Sequence, residues 1–189
     1  MFRTGASLWI LFLTPLVGGL LLLPGCSSDS APRSTLSVES INDNSSLSSD
    51  VYSLGADQTL GTADDNVPEE QVPIVVRNMP HDSSLRIRPN GPFSTVTLDR
   101  YEVHYSGDVS LPTFVGSIHL IVPSGTTADA NLVVLPGSYK IVPPLSALVA
   151  GGEIHLDADV IVFGTEQDSG AKITTHATLN IEVANWADK

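Results

Sequence analysis

The sequence predicts an all-β protein, with a single antiparallel β-sandwich after an apolar N-terminal segment. From Leu36 onward, apolar and polar residues alternate with a period of two in about eight short segments, which is the pattern of half-buried strands. Turn residues such as Ser106-Gly107-Asp108 and Asp168-Ser169-Gly170 separate these segments, and no stretch shows a convincing helical period. Many short strands divided by regular turns are typical of a β-sandwich.

The N-terminal segment predicts export. Met1–Gly5 carries Arg3 as its single charged residue, and Ala6–Leu23 is almost wholly apolar. A positive start, an apolar middle and a small residue at the end are the layout of a secretory signal peptide, which we place at residues 1–25.

A retained membrane helix is the alternative, because a spanning helix needs roughly 20 apolar residues. Pro15, Gly18 and Gly19 lower the helical propensity of this run. No cluster of basic residues follows it, since the next one is Arg33. A cleaved signal peptide is therefore favoured over an anchor helix.

The end of the apolar run contains the only cysteine of the chain. Leu23-Pro24-Gly25-Cys26 resembles the lipobox of bacterial lipoproteins, in which an aliphatic, a variable and a small residue precede the cysteine that is lipidated. The resemblance implies cleavage before Cys26, diacylglycerol on its thiol, and a further acyl chain, such as palmitate, on the new amino group. Because Ser27 is not acidic, the resemblance also implies sorting to the outer membrane.

The physics of anchoring agrees with this resemblance. One acyl chain holds a protein to a membrane only marginally, whereas two or more hold it stably. A buried, inert thiol is the alternative, but Cys26 begins a Ser-rich polar stretch, where a core cysteine is not expected. Because Cys26 is the single cysteine, the exported domain has no internal disulfide and depends on its core.

Composition limits the partners. The chain has 21 acidic and 9 basic residues, a net charge of −12. This charge argues against nucleic acid, which needs a basic footprint, and against electrostatic docking on anionic lipid. The expected partners are the membrane, through the acyl chains on Cys26, and envelope proteins or surface glycans.

The exported chain divides into a flexible, Ser-rich tether at 26–35 and a sandwich domain at 36–187. One or two helical turns are expected at 144–149. The predicted strands are 36–41, 72–78, 84–88, 94–106, 114–123, 131–136, 152–164 and 172–186.

The last two strands predict a hairpin. Both alternate between apolar and polar residues over much of their length, so each has one packed face and one wet face. A turn at Asp168-Ser169-Gly170 places His155 opposite Glu182 and His176 opposite Ile161. The histidines are then near opposite ends of the hairpin.

In the strand 94–106 the alternation of apolar residues changes phase. Leu98 and Tyr101 are three residues apart, so they cannot share a face of a regular strand. A bulge near Asp99-Arg100 restores a single buried face. The stretch Arg100–Ser106, RYEVHYS, resembles the third strand of fibronectin type III and other immunoglobulin-like domains. The resemblance implies an immunoglobulin-like topology but no function.

The sharpest candidate site is the loop Gly55–Asn66, which we call the acidic loop. Asp57, Asp64 and Asp65 lie close together in its sequence. Calcium takes about six to eight oxygen ligands, which carboxylates and carbonyls of a flexible loop supply. The loop lacks the alternating ligands and the closing Glu of an EF-hand. The alternative is a solvated acidic turn that needs no ion.

Catalytic chemistry is not apparent in the sequence. The five histidines show neither HxH nor HxxxH spacing, and we expect them on the wet faces of strands. No G-x-S-x-G nucleophile elbow and no glycine-rich phosphate loop occur. A carbohydrate-binding site needs an exposed aromatic ring on which the sugar can stack, and here that requires Trp186 or Tyr52 to be exposed.

These observations predict a lipid-anchored protein of the bacterial cell envelope whose sandwich domain is not an enzyme and acts in binding or in envelope structure. A weak carbohydrate- or peptide-binding module is the first alternative. A hydrolase is disfavoured because no catalytic group of residues can be assembled.

Overall fold

The computed structural model describes residues 32–57, 59, 62–81 and 95–186. The predicted signal peptide, Cys26 and the predicted strand 84–88 lie outside these residues. The described strands are β1 (Ser34–Ile41), β2 (Leu47–Asp50), β3 (Glu70–Pro80), β4 (Val96–Gly107), β5 (Phe114–Val122), β6 (Thr127–Leu135), β7 (Glu153–Glu166) and β8 (Lys172–Ala184). A short helix, α1 (Gly137–Lys140), and a 3-10 turn, Leu145–Ala150, join β6 to β7.

The strands form two sheets, which confirms the all-β prediction. One sheet has the order β1-β3-β6 and the other the order β2-β8-β7-β4-β5. The larger sheet curls into a half-barrel. The inward faces of both sheets supply one hydrophobic core, with Ile74 and Val76 from β3 and Val160 and Val162 from β7 fully buried.

One pairing departs from the predicted antiparallel arrangement. Strand β2, which the sequence did not predict, pairs in parallel with β8, from Leu47 opposite Ile181 to Asp50 opposite Ala184. The chain leaves β1 in the smaller sheet and continues in the same direction along the larger one. All other described strand pairs are antiparallel.

A left-handed turn moves the chain between the sheets. Asn42, Asp43 and Asn44 have φ values of 47°, 53° and 59°. Asn and Asp tolerate this region better than other residues with a side chain. The side-chain Nδ2 of Asn42 also donates to the backbone carbonyls of Ser45 and Ser46, at 3.0 and 3.1 Å. These two bonds close the turn.

The β7–β8 hairpin has the predicted register. His155 lies opposite Glu182, and Ile161 lies opposite His176. The predicted bulge is also confirmed, because the register of β4 against both neighbours shifts between Leu98 and Arg100. The shift leaves Asp99 and Arg100 exposed and brings Tyr101 to the buried face.

Two tyrosines of β4 cross the core to the opposite sheet. The Tyr101 hydroxyl accepts a hydrogen bond from the Val133 amide of β6 at 3.0 Å, and the Tyr105 hydroxyl donates to the Val134 carbonyl at 2.7 Å. A Cβ on Gly116 would lie 2.1 Å from the Tyr101 ring, so only glycine leaves room for this crossing. Burial raises the pKa of both tyrosines, which keeps them protonated.

We expect Tyr105→Phe to lower the free energy of unfolding by about 1–3 kcal/mol, because the buried Val134 carbonyl loses its donor. Tyr139→Phe is the matched control, since the Tyr139 hydroxyl makes a 3.4 Å bond to Thr113 at an exposed position. The control should cost less than about 0.5 kcal/mol. Urea unfolding measures both, and equal losses would contradict the proposed link between the sheets.

Candidate functional site

The sandwich has two ends with different chemistry. One end, which we name the tether end because the predicted tether 26–35 leads to it, contains Arg33 and the β7–β8 turn. The far end contains the loop 51–66, α1, the 3-10 turn and Trp186. Strand β7 runs between the two ends over 14 residues, so they lie on the order of 40 Å apart.

The tether end is closed by Glu166, a fully buried carboxylate at the end of β7. Its oxygens accept from the Arg33 amide at 3.1 and 3.3 Å and from the Ser169 hydroxyl. The chain is therefore fixed where it enters the domain. β1 begins at Ser34, two residues earlier than the alternating pattern indicated.

The donors around Glu166 decide its charge. Burial by itself would raise the pKa of this carboxyl. The hydroxyls of Ser169 and Ser34 and the amides of Arg33 and Ser34 outweigh burial and hold the pKa below its usual value. Glu166 is consequently an ionised acceptor at neutral pH.

At the far end, Asp50 is the centre of the hydrogen-bond network. Its carbonyl accepts from Lys140 Nζ at 2.7 Å. Its Oδ1 accepts from the amides of Tyr52 and Trp186 at 3.2 and 3.3 Å. This one residue at the end of β2 therefore joins α1 to the chain that follows β8, and it also bonds to the backbone two residues further on.

Lys140 is a buried cation beside this centre. Its Nζ also lies 2.7 Å from Glu70 Oε1, which accepts from the Ser49 hydroxyl at 3.1 Å. Burial lowers the pKa of Lys140, and Glu70 opposes that effect. Because its side chain is enclosed and its Nζ is bonded to two acceptors, Lys140 is not open to a substrate and positions its neighbours.

The far end exposes three large apolar side chains. Ile141 is 63% exposed, Val142 49% and Trp186 40%. The Trp186 indole nitrogen donates to the Ser49 carbonyl at 3.1 Å, so the ring is held at one edge while the side chain remains accessible. The condition for an aromatic platform is therefore met by Trp186, whereas Tyr52 is only half-exposed.

The three predicted calcium ligands lie together in one loop. Asp65 accepts from the Tyr52 hydroxyl at 2.7 Å and from the Thr62 amide at 2.9 Å, while Asp64 accepts from the Thr62 hydroxyl at 2.7 Å. This hydroxyl lowers the pKa of Asp64, and its oxygen also lies 3.2 Å from Asp57 Oδ1. The loop is thus organised by its own donors.

No group of three or more His, Cys, Asp or Glu side chains within the described ranges is arranged to hold a metal ion. The carboxylates of the acidic loop have the oxygen chemistry that calcium requires, so calcium binding there stays a prediction.

Four histidines lie at exposed positions on the strands of the larger sheet, and each of three has a carboxylate neighbour on the sheet surface. His81 lies at the tether end instead, where its amide donates to the Arg33 carbonyl at 2.7 Å. The three pairs are His104–Glu102 at 3.2 Å, His155–Glu153 at 3.8 Å and His176–Asp159 at 3.4 Å. The five histidines do not converge on one point of the described surface.

Comparison of the chain with protein-family models gives no match, and a search of curated proteins finds no significantly similar sequence. Within the part of the chain that the structure describes, no helix has the length and apolar character needed to cross a membrane.

Stability should fall in acid through Glu166. Its folded pKa lies below the usual Glu value of about 4.3, so its contribution is complete above that pH and is lost as pH falls through the folded pKa. Glu166→Gln should weaken this part of the pH dependence of unfolding, measured by urea denaturation between about pH 2 and pH 7. Glu69→Gln, at an exposed position, is the control and should leave the profile unchanged. Identical profiles for all three proteins would contradict the assigned role.

Proposed function

We propose that this protein is a lipid-anchored component of the bacterial cell envelope and that its domain is a non-catalytic binding module of immunoglobulin-like topology. Acyl chains on Cys26 attach it to the outer membrane. The observation that carries the binding role is the exposure of Trp186, Ile141 and Val142 at the far end of the domain.

The strand order supports the immunoglobulin-like topology. In chain order the strands can be lettered A, A′, B, C, C′, E, F and G. The sheets are then A-B-E and A′-G-F-C-C′, with each of C, F and G beside the neighbour that an immunoglobulin-like domain requires. The RYEVHYS stretch lies in β4, the C strand of this assignment.

The charge distribution supports a cationic ligand. Arg33, Arg77, Arg100 and Lys172 lie in the half of the domain that includes the tether end. Buried Lys140 is the only Lys or Arg of the described residues at the far end. The exposed acidic residues at that end are Asp57, Asp64, Glu69, Asp108 and Glu153.

The ligand class follows from these two properties. Trp186, Ile141 and Val142 offer apolar contact area, and the surrounding carboxylates attract positive charge before contact. A segment that combines basic and apolar residues, presented by another envelope protein, fits this surface. Exposure of Trp186 also favours the second candidate, a carbohydrate stacked on the indole ring.

Trp186 is the single tryptophan outside the predicted signal peptide, so its fluorescence reports on the far end directly. In the full chain with Trp9→Phe, adding a peptide of alternating lysine and leucine should shift the emission of Trp186, and salt should weaken the effect. Ile141→Ser should reduce the affinity about tenfold, whereas Val115→Ser, at an exposed apolar position on β5, should not change it. A response to an N-acetylglucosamine oligomer alone would favour the carbohydrate, and no response to either would overturn the binding role.

Membrane attachment should depend on Cys26, because its thiol is the proposed acyl acceptor. Cys26→Ala should move the protein from the detergent phase to the aqueous phase, or leave it as an uncleaved precursor. Ser28→Ala is the matched control in the same segment. Equal detergent partitioning of Cys26→Ala and the parent protein would contradict lipid anchoring without affecting the binding test.

A further inference from the structure

The free edge of β5 differs from the other edges of the two sheets. The edge strands are β1 and β6 in the smaller sheet and β2 and β5 in the larger one. A sheet edge has unpaired amides and carbonyls that can accept another strand, and proteins usually protect it with charges, bulges or short length. The described edges can therefore be compared one by one.

Three of the edges are protected. β1 has the charged residue Glu39 and a register shift between Val38 and Ser40. β2 is only four residues long and ends in Asp50. β6 exposes Asp129, and its Val133 amide is bonded to a tyrosine hydroxyl.

The fourth edge, β5, is neither charged nor short, although its register against β4 shifts between Ser117 and Leu120. Its nine residues, FVGSIHLIV, include no Asp, Glu, Lys or Arg, which is true of no other described strand. The uncharged stretch extends from Val109 to Ala128 in a chain with a net charge of −12. Strand β5 nevertheless keeps an unbroken alternation of more and less exposed residues through this register shift.

The outward face of β5 is apolar at both ends. Val115 is 54% exposed and Ile121 is 48% exposed, with Ser117 and His119 between them. No strand in the described part of the chain pairs with the edge of β5 that faces away from β4. The strand thus combines an edge with which no described strand pairs and exposed apolar side chains.

The pattern of β5 is complementary to itself. If two copies pair antiparallel about Ile118, Val115 of each copy lies opposite Ile121 of the other, and Ser117 lies opposite His119. Both exposed apolar residues are then covered by apolar partners on the same face of the joined sheet. No carboxylate faces another across the pair, whereas self-pairing of β1 or β6 brings Glu39 or Asp129 into the junction.

We propose that β5 is a self-association edge, through which two copies of this chain join their larger sheets by antiparallel pairing centred on Ile118. The contact is isologous, because the same strand contributes from both copies. A single strand pair is a small interface, so confinement of the copies on a membrane would strengthen it. The strengthening on a membrane and the orientation of the dimer there rest on the proposed lipid anchor, whereas the strand pairing itself does not.

The symmetry of this contact determines how the dimer is oriented. Antiparallel strands place the tether ends of the two copies at opposite ends of the joined sheet. If both copies are anchored in one bilayer, the long axis of the dimer lies along the membrane. The far ends of the two domains then remain outside the junction and stay open to ligand.

Cysteine cross-linking of the full chain tests the pairing and its register. Ser117→Cys in one copy and His119→Cys in a differently tagged copy should form a disulfide, because these positions face each other only in the proposed register. The same Ser117→Cys chain co-expressed with Thr127→Cys, on the edge of β6, is the control. The parent chain gives the background from Cys26.

Two further variants separate edge pairing from random collision. Val115→Lys with Ile121→Lys places like charges opposite each other and should reduce the cross-linked dimer at least tenfold. Ile141→Lys, an exposed apolar position at the far end, should leave the dimer unchanged. Absence of the 117–119 cross-link, equal cross-linking of the control pair, insensitivity to the two lysines, or cross-linking only to a protein of another size would each overturn the proposal.

Discussion

Two tyrosine hydroxyls hold the sheets of this domain in register, and the rest of the structure depends on that alignment. The single cysteine lies outside residues 32–186, so no disulfide joins the sheets there. Apolar contacts favour close approach but are not directional. The bonds from Tyr101 and Tyr105 to the backbone of β6 are directional, and inside a low-dielectric core they permit only one lateral position of the sheets.

Once the sheets are aligned, each end of the sandwich is closed by a buried charge. Removing Lys140 or Glu166 from water is costly, and the partners of each group offset that cost. Their bonding geometry is specific, because Lys140 reaches Asp50 and Glu70 at once, while Glu166 gathers donors from the entering chain. We infer that these charges define where the loops and the chain before β1 lie.

The strand pattern predicted much of the fold because alternation reports directly on which face of a strand is buried. It predicted the register of His155 against Glu182 and the bulge beside Arg100. It did not predict β2, since Leu47–Asp50 has one apolar residue and no alternation. This strand forms because the left-handed turn before it delivers the chain to the free edge of β8.

The surroundings of the candidate site were less accessible to sequence reasoning. The acidic loop was visible as a local cluster, because Asp57, Asp64 and Asp65 are near neighbours in the chain. The residues that position the chain around this loop are not visible as a local cluster, because Lys140 and Asp50 are separated by 90 positions in the sequence. A lysine in a short helix is ordinarily expected at the surface, so nothing local distinguishes it as buried. Alternation therefore specifies the sheets, whereas the ends of the sandwich are determined by contacts that form only after the sheets have met.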